Sequence, residues 1–455
     1  MVVTVPEASS RAGARPEAPL TLTTEPPRTE GPWAQLGLWG SFGVTLFGPL
    51  TGALVAASVG TVAEGLLACA VGAAIGAVLL GGCAGIGARL GAPAMVTLRG
   101  LLGYRASIVP TLLNLAQNIG WATMEIIVIS SAAAGVLGTQ WRWPFVIVAG
   151  AACTLMAIRP LGSVRLLRTV MLWLVLACSA YLLVTVLAQP AHPLDQSGVI
   201  GFWPAVDLAA AQVISFCPLA ADYSRHATSA RGAFGGASVG YGVAIFVYYA
   251  LGVLALGHLA GDLSGTHLIG ALMALPAGAV AITLLLADEL DQAFANVYST
   301  TVSLHNLAPM LDRRVVSVAV GVLATVLAGV LDFSGYEGFL YLIGSAFVPL
   351  AVVSVVDFFA VSRGRWNLGS DAPFRWAPAL AWALGFLAYQ LIYPGSVPGW
   401  SDAWAAAAAS VGFVAPAWLG STLGSMLVAG LAAWVLGMLG RASGGRGART
   451  ASGGV

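Results

Sequence analysis

Asp288-Glu289-Leu290-Asp291-Gln292-Ala293-Phe294-Ala295-Asn296 continues an apolar run from Ala277 to Leu286. It sets three carboxylates and two amides in line with what reads as the first half of a membrane span. An ionisable group at bilayer depth costs roughly 2.5–3.5 kcal/mol on insertion scales. Three within four residues persist only with polar company or water. Such a cluster marks an ion or substrate pathway.

The rest of the chain supports a membrane setting. Of 455 residues, 58% are hydrophobic and 9% charged, whereas a soluble domain carries roughly 25% charged residues. Apolar runs of about 20 residues, long enough to span, recur from Trp33 to Leu439. The expectation is an all-α polytopic membrane protein with a transporter domain over 33–440. Residues 1–32, rich in Ala, Pro, Glu, Thr and Arg with no apolar core, read as a disordered cytoplasmic tail. Residues 441–455 read the same way.

All 20 basic residues are arginine. A Walker A loop, a PLP enzyme and a retinal protein each need a lysine, so those classes are excluded and no enzyme or cofactor is expected. The net charge of +1 gives no sign of nucleic acid. Cys69, Cys83, Cys153, Cys178 and Cys217 stand singly in apolar segments, which indicates neither a disulfide framework nor a zinc site.

Twelve spans can be drawn, roughly 34–57, 61–88, 107–135, 143–160, 165–188, 203–224, 236–259, 278–304, 315–332, 336–361, 376–394 and 416–440. Residues 395–415 between the last two could form an interfacial helix. With the N-terminus inside, every arginine but Arg142 falls on the cytoplasmic side, as the positive-inside rule requires. The expected location is the plasma (inner) membrane, with both termini cytoplasmic.

Two spans read as interrupted. The first holds Gly37, Gly40, Gly43, Gly48, Pro49 and Gly52, and the sixth holds Asp207, Gln212, Ser215, Pro218 and Asp222. Freed backbone groups are tolerated at depth only where protein or a water-filled cavity receives them. Spans one and six are corresponding members of two halves, about 34–188 and 203–361, and paired interruptions point to an inverted-repeat transporter with a midplane site. Ordinary proline or glycine kinks are the bland alternative.

Three segments carry a family resemblance: Asn114-Leu115-Ala116-Gln117-Asn118-Ile119-Gly120-Trp121-Ala122-Thr123-Met124-Glu125, Ser215-Phe216-Cys217-Pro218-Leu219-Ala220-Ala221-Asp222-Tyr223-Ser224-Arg225, and Asp291 through Ser299. Together they resemble the nucleobase:cation symporter-1 family, the purine–cytosine permeases and their relatives. The resemblance implies a five-plus-five inverted repeat with two extra helices, about 376–440. It implies uptake of a small planar heterocycle with Na⁺ or H⁺. The protein is expected to work as a monomer in the bilayer.

The resemblance also nominates residues. Trp121 matches the tryptophan that stacks on the substrate ring, worth about 0.5–1.5 kcal/mol beyond buried area. Glu125, one turn on along the same face, stands where the family often has an amide. A carboxylate there can accept from ring N–H groups or from an exocyclic amine. Phe216, beside Ser215, stands where the second aromatic of a ring sandwich falls, with Gln212 or Cys217 as alternatives. Asn296, with Gln292 on the substrate side, matches the asparagine that bonds the heterocycle. Asp222 and Arg225 read as a cap or salt bridge.

Sodium-dependent relatives offer hydroxyls from span eight to the ion. The matching positions here are Leu290 and Asp291, with Ala287 supplying a carbonyl. The reading is a cation site on Asp291, helped by Asp288 and by carbonyls of the span-one break near Gly43, Val44 and Leu46. Both Na⁺ and H⁺ remain open, because a buried carboxylate can ligate one or carry the other. Asp288 and Glu289 lie roughly 100° apart on a helix, so the three acids cannot share one cavity equally. Rival readings are a same-fold symporter for an amino acid, a membrane-embedded enzyme and a channel.

Overall fold

The first span is broken where its glycines cluster. In the computed structural model, which describes residues 25–158, 165–195, 197, 199–259, 266–304, 306–308 and 310–451, α1 (Pro32–Phe42) and α2 (Phe47–Val59) meet at 64°. Gly43 to Leu46 belong to neither helix. The glycines beyond the break serve close approach. A Cβ added at Gly52 would lie 2.0 Å from Tyr249 O, and one at Gly252 1.9 Å from Pro49 O. This lets α2 pack against α11 (Gly242–His258) backbone to backbone.

Between these run α3 (Val62–Leu90), α4 (Ala94–Leu102), α5 (Ile108–Leu137), α6 (Arg142–Ile158), α7 (Arg165–Leu187), α8 (Phe202–Ile214), α9 (Ala220–Ser224) and α10 (Ala230–Gly235). After α11 come α12 (His267–Ala274), α13 (Gly278–Leu304), α14 (Arg313–Val330), α15 (Tyr336–Val356), α16 (Trp376–Ile392), α17 (Trp400–Ser410) and α18 (Ser421–Ala451). No strand occurs among the described residues, only an isolated bridge between Glu30 and Ala227.

Among the described residues, eight helical runs are long and apolar enough to cross a membrane, nine with the bent α1–α2 pair. The apolar parts of α7 and α16 are shorter, and α13 carries Asp288, Glu289 and Asp291 in its middle. The sixth span is interrupted more gently than the first. α8 passes through a 3₁₀ turn, Cys217–Leu219, into α9 within one 23-residue run. Pro218 has no N–H to continue the helical ladder, and Ser215 and Phe216 precede that turn.

The helices pack as two groups. α1, α2, α3, α8 and α11 form one, while α5, α6, α13 and α14 form the other. α15 packs on α8 and α18, and α16 lies against α18. α17 buries no residue, and its Trp400 and Trp404 rings, 5.9 Å apart, meet Phe386 of α16. An exposed aromatic helix of this kind suits the interfacial position expected for 395–415.

Both ends of the domain differ from the reading of the sequence. The segment expected as tail over 1–32 is docked from residue 25 to 31. Thr29 and Glu30 N–H groups both donate to His226 O at 3.0 Å, Thr228 N–H donates to Glu30 O at 2.9 Å, and Arg28 donates to the carbonyl of Ala88. Its acceptors lie far away in sequence, so composition alone did not expose them. α18 runs on to Ala451, past the expected tail boundary at 441. Residues 1–24 and 452–455 lie outside the described residues.

Several acids in spans act as helix and loop clamps. Asp207 accepts from the Ser421 and Thr422 N–H groups at 2.7 and 2.9 Å, capping α18. Asp222 accepts from Ala94 N–H at 2.8 Å at the start of α4, one of the two roles, cap or salt bridge, expected of it. Asp357 pairs with Arg375 at 2.8 Å.

Candidate functional site

Trp121, Glu125, Ser215, Phe216, Gln292 and Asn296, nominated from distant parts of the sequence, all border one cavity. α5 contributes Trp121 and Glu125, one turn apart. The turn after α8 contributes Ser215 and Phe216, with Gln212 from α8 itself. α13 contributes Gln292 and Asn296. Phe42, Thr45 and Phe47 from the α1–α2 break, with Leu219 and Tyr241, complete the wall. The site thus lies where the two helix groups meet, beside both interrupted spans.

Two aromatic clusters face this space from different helices. Trp121 packs edge-on against Phe47 at 5.3 Å and Phe339 at 5.4 Å. Phe216 packs against Tyr241 at 5.0 Å and Phe42 at 5.8 Å. The free space between the walls is ≈ 20 Å³, room for about one water molecule. A planar ring therefore enters only when a wall moves.

The polar lining is unspent. Trp121 Nε1, Glu125 Oε2, Gln212 Oε1 and the Tyr241 hydroxyl are buried without a hydrogen-bond partner. Buried polar groups are normally paired, so four such atoms around one cavity describe a surface made for a polar ligand. Other polar groups hold the frame. Gln117 Nε2 donates to Ser215 O at 2.9 Å, fixing a carbonyl before the 3₁₀ turn, and to Asn114 Oδ1 at 2.9 Å. Asn114 Nδ2 donates to Ser303 Oγ at 2.8 Å, tying α5 to α13.

The structure distributes the expected cation residues differently from the sequence reading. Gly43, Val44 and Leu46 are at the break, but Phe42 O and Val44 O accept from Gln292 Nε2 at 3.4 and 3.3 Å. Ala287 is exposed and Asp288 half-buried, and the side chain of Asp291 lies outside the described residues. The acid that reaches the break is Glu289. It is wholly buried, accepts the Thr45 hydroxyl at 2.9 Å and takes the Leu46 N–H on the same oxygen. Glu125 is its electrostatic neighbour, and Thr45, which bonds Glu289, borders the same cavity as Glu125. Among the described residues, no three acidic, histidine or cysteine side chains group to hold a metal ion.

Thr45 and Glu289 were not nominated from the sequence. Glu289 carried a partial signal, since Glu289, Gln292 and Asn296 follow the i, i+3, i+7 stripe of one helix face, although Asp288 fits the same face at i, i+4, i+8. Thr45 offered none, being one hydroxyl in a glycine-rich stretch.

Residues 24–375 match the family model for permeases of cytosine and purines, uracil, thiamine and allantoin. The chain belongs to this family. It is therefore a membrane transporter of the nucleobase:cation symporter-1 type and not an enzyme, as the three motifs implied. α16 to α18 lie beyond the matched region. No protein of curated function matches the sequence.

Among solved structures, the permease fold is shared with Mhp1, a nucleobase-cation-symport-1 family transporter. A closed form with bromovinylhydantoin bound matches at 16% identity over 92% of this chain and 94% of that one, with a TM-score of 0.67. An inward-facing Mhp1 matches at 18% identity over 94% and 93%, TM-score 0.64. A Na⁺-coupled sialic acid symporter matches at 10% identity over 90% and 95%, TM-score 0.52. These likenesses establish the fold of this permease. The chemistry of its site rests on its own residues.

Proposed function

We propose that this permease imports a nucleobase or related small planar heterocycle together with a cation, by alternating access. The observation that carries the reading is the convergence of Trp121, Glu125, Phe216 and Asn296 on one buried cavity beside two interrupted spans. The ring lodges between the Trp121 and Phe216 clusters. Glu125, Gln212, Gln292 and Asn296 bond its edges, which supply both donors and acceptors. Twelve spans arranged as a five-plus-five inverted repeat with two extra helices complete the proposed architecture. The three helices outside the apolar set, α7, α13 and α16, make up the count. The monomer sits in the plasma membrane with both termini cytoplasmic, and one helix group rocks against the other to expose the site to either side.

Radiolabelled uptake into vesicles with a heterocycle panel tests this. Trp121→Ala and Asn296→Ala should each lower uptake about 100-fold, equivalent to roughly 2.7 kcal/mol, with membrane insertion unchanged. Full transport by both variants would remove the site assignment, and uptake competed by amino acids rather than nucleobases would replace the substrate class.

A further inference from the structure

We infer that Tyr241 is a further substrate-binding and specificity-determining residue, whose hydroxyl donates to an oxo oxygen on the edge of the imported ring. The inference rests on the import reading above and deepens it, since that reading gives Tyr241 no contact with the ligand.

Tyr241 closes a π-helical turn, Gly236–Tyr241, just before α11. Turns of this kind insert one residue into a helix and recur at functional sites. Here the first span grips the turn. A Cβ added at Gly240 would lie 2.5 Å from Leu36 O of α1, and one at Gly43, in the α1–α2 break, 3.0 Å from Tyr241 O. The backbone of Tyr241 is thus held by both α1 and the break.

Its side chain is fully buried and borders the ligand cavity. The ring packs on Phe216 at 5.0 Å, tilted by 52°. Packing accounts for the ring but not for the hydroxyl, which has no hydrogen-bond partner among the described residues. A buried hydroxyl that bonds nothing is costly, and phenylalanine would keep the ring contact without that cost.

The other polar atoms of the wall set the direction of the bond. Glu125 Oε2 and Gln212 Oε1, also without partners, are oxygens of a carboxyl and an amide, and they suit N–H groups of a ligand. Gln292 Nε2 already donates to the carbonyls of Phe42 and Val44. Trp121 Nε1–H points along the plane of its own ring, away from anything stacked on the ring's face. The Tyr241 hydroxyl and the Asn296 amide are then the side-chain donors left for a ligand's acceptors. Trp121, Glu125 and Asn296 belong to the α5–α13 group, whereas Tyr241 and Phe216 belong with α1, α8 and α11. A ring bonded by both sides bridges the joint that must move, and so favours the arrangement in which both walls reach it.

The test uses purified full-length protein in sealed liposomes. Counterflow of labelled cytosine, hypoxanthine, uracil and hydantoin needs no ion gradient and comes first. If none exchanges, the import reading of an oxo heterocycle falls, and this inference with it. For a compound that exchanges, each oxo oxygen is then replaced in turn by sulfur, a weaker acceptor. The probes are thiocytosine, mercaptopurine, the two thiouracils and the two thiohydantoins. Tyr241→Phe should raise the counterflow KM of the oxo compound about tenfold, and that of one thio analogue by less than about twofold. An unchanged KM, or the same rise for the oxo compound and all its thio analogues, overturns the inference while leaving the import reading standing. Without ligand, the Tyr241→Phe protein should melt at or above the wild-type midpoint, because the lost hydroxyl bonds nothing in the fold. A variant that misfolds or melts well below wild type also overturns the inference, since the hydroxyl would then serve the structure.

Discussion

At the end of α15, Asp357 is surrounded by donors. Arg375 gives it two bonds, Nη1 at 2.9 Å and Nη2 at 2.8 Å, and Trp366 Nε1 and Ser362 Oγ add bonds at 2.7 and 2.8 Å. At the α1–α2 break, Glu289 has donors on one oxygen only, and the titratable group that acts on it is another acid, Glu125. Both acids are buried to a similar degree. The difference lies in what surrounds them. Asp357 has its charge compensated in full, so it fixes a loop to a helix end. Glu289 is compensated by half, so its state depends on what its neighbour carries. Burial alone does not separate a structural acid from a functional one; the inventory of donors does.

Removing the compensation at Asp357 should produce the largest stability loss. Arg375→Ala leaves a buried carboxylate with two neutral donors. Breaking a buried pair costs about 3–5 kcal/mol, and Arg375 is 28% exposed, which places the expected loss near the low end. Thermal unfolding in detergent measures it. A midpoint unchanged from wild type would break the contrast, because Asp357 would then need no cation.

This contrast was only partly legible in the sequence. The all-helical membrane fold and the first break followed from apolar run length and glycine clustering, both local properties. Trp121, Glu125, Phe216 and Asn296 followed from motif resemblance, and the structure gathers them at one cavity. The acids were harder. Counting carboxylates in 288–291 showed that something polar was there, but not which one turns inward. Helix phase sets Asp291 off the face of Gln292 and Asn296, but Asp288 and Glu289 both lie within about 60° of that face, so phase does not choose between them. The partners themselves, Thr45 and Leu46 for Glu289 and Arg375 for Asp357, come from across the fold. No local pattern encodes such pairings. The docking of residues 25–31 on His226 and Ala88 escaped for the same reason.

The contrast sharpens at Thr45. Its hydroxyl donates to Glu289 at 2.9 Å and accepts from Phe47 N–H at 3.2 Å. Thr45→Val keeps the shape and removes two hydrogen bonds, of which the one to the half-compensated acid accounts for about 1 kcal/mol. Leu46 N–H still holds Glu289, so the fold should survive while cation-driven uptake falls about fivefold. Uptake equal to wild type would show that the hydroxyl has no part in the joint between the helix groups.

The smallest expected effect on stability is at Glu125, and its smallness is the point. Truncating a compensating partner, as in Arg375→Ala, strands a charge. Glu125→Gln does the opposite, since an amide of nearly the same shape carries permanent N–H donors. Near Glu289, that amide can donate to the carboxylate where a second carboxylate repels it. The loss of stability should therefore stay below that of Thr45→Val, although the residue is buried and charged groups there are costly to alter. A loss approaching that of Arg375→Ala would mean Glu125 is held by a compensating partner of its own. The two sites would then be alike, and the distinction between a fully paired acid and a half-paired one would fail where it matters most, at the cavity.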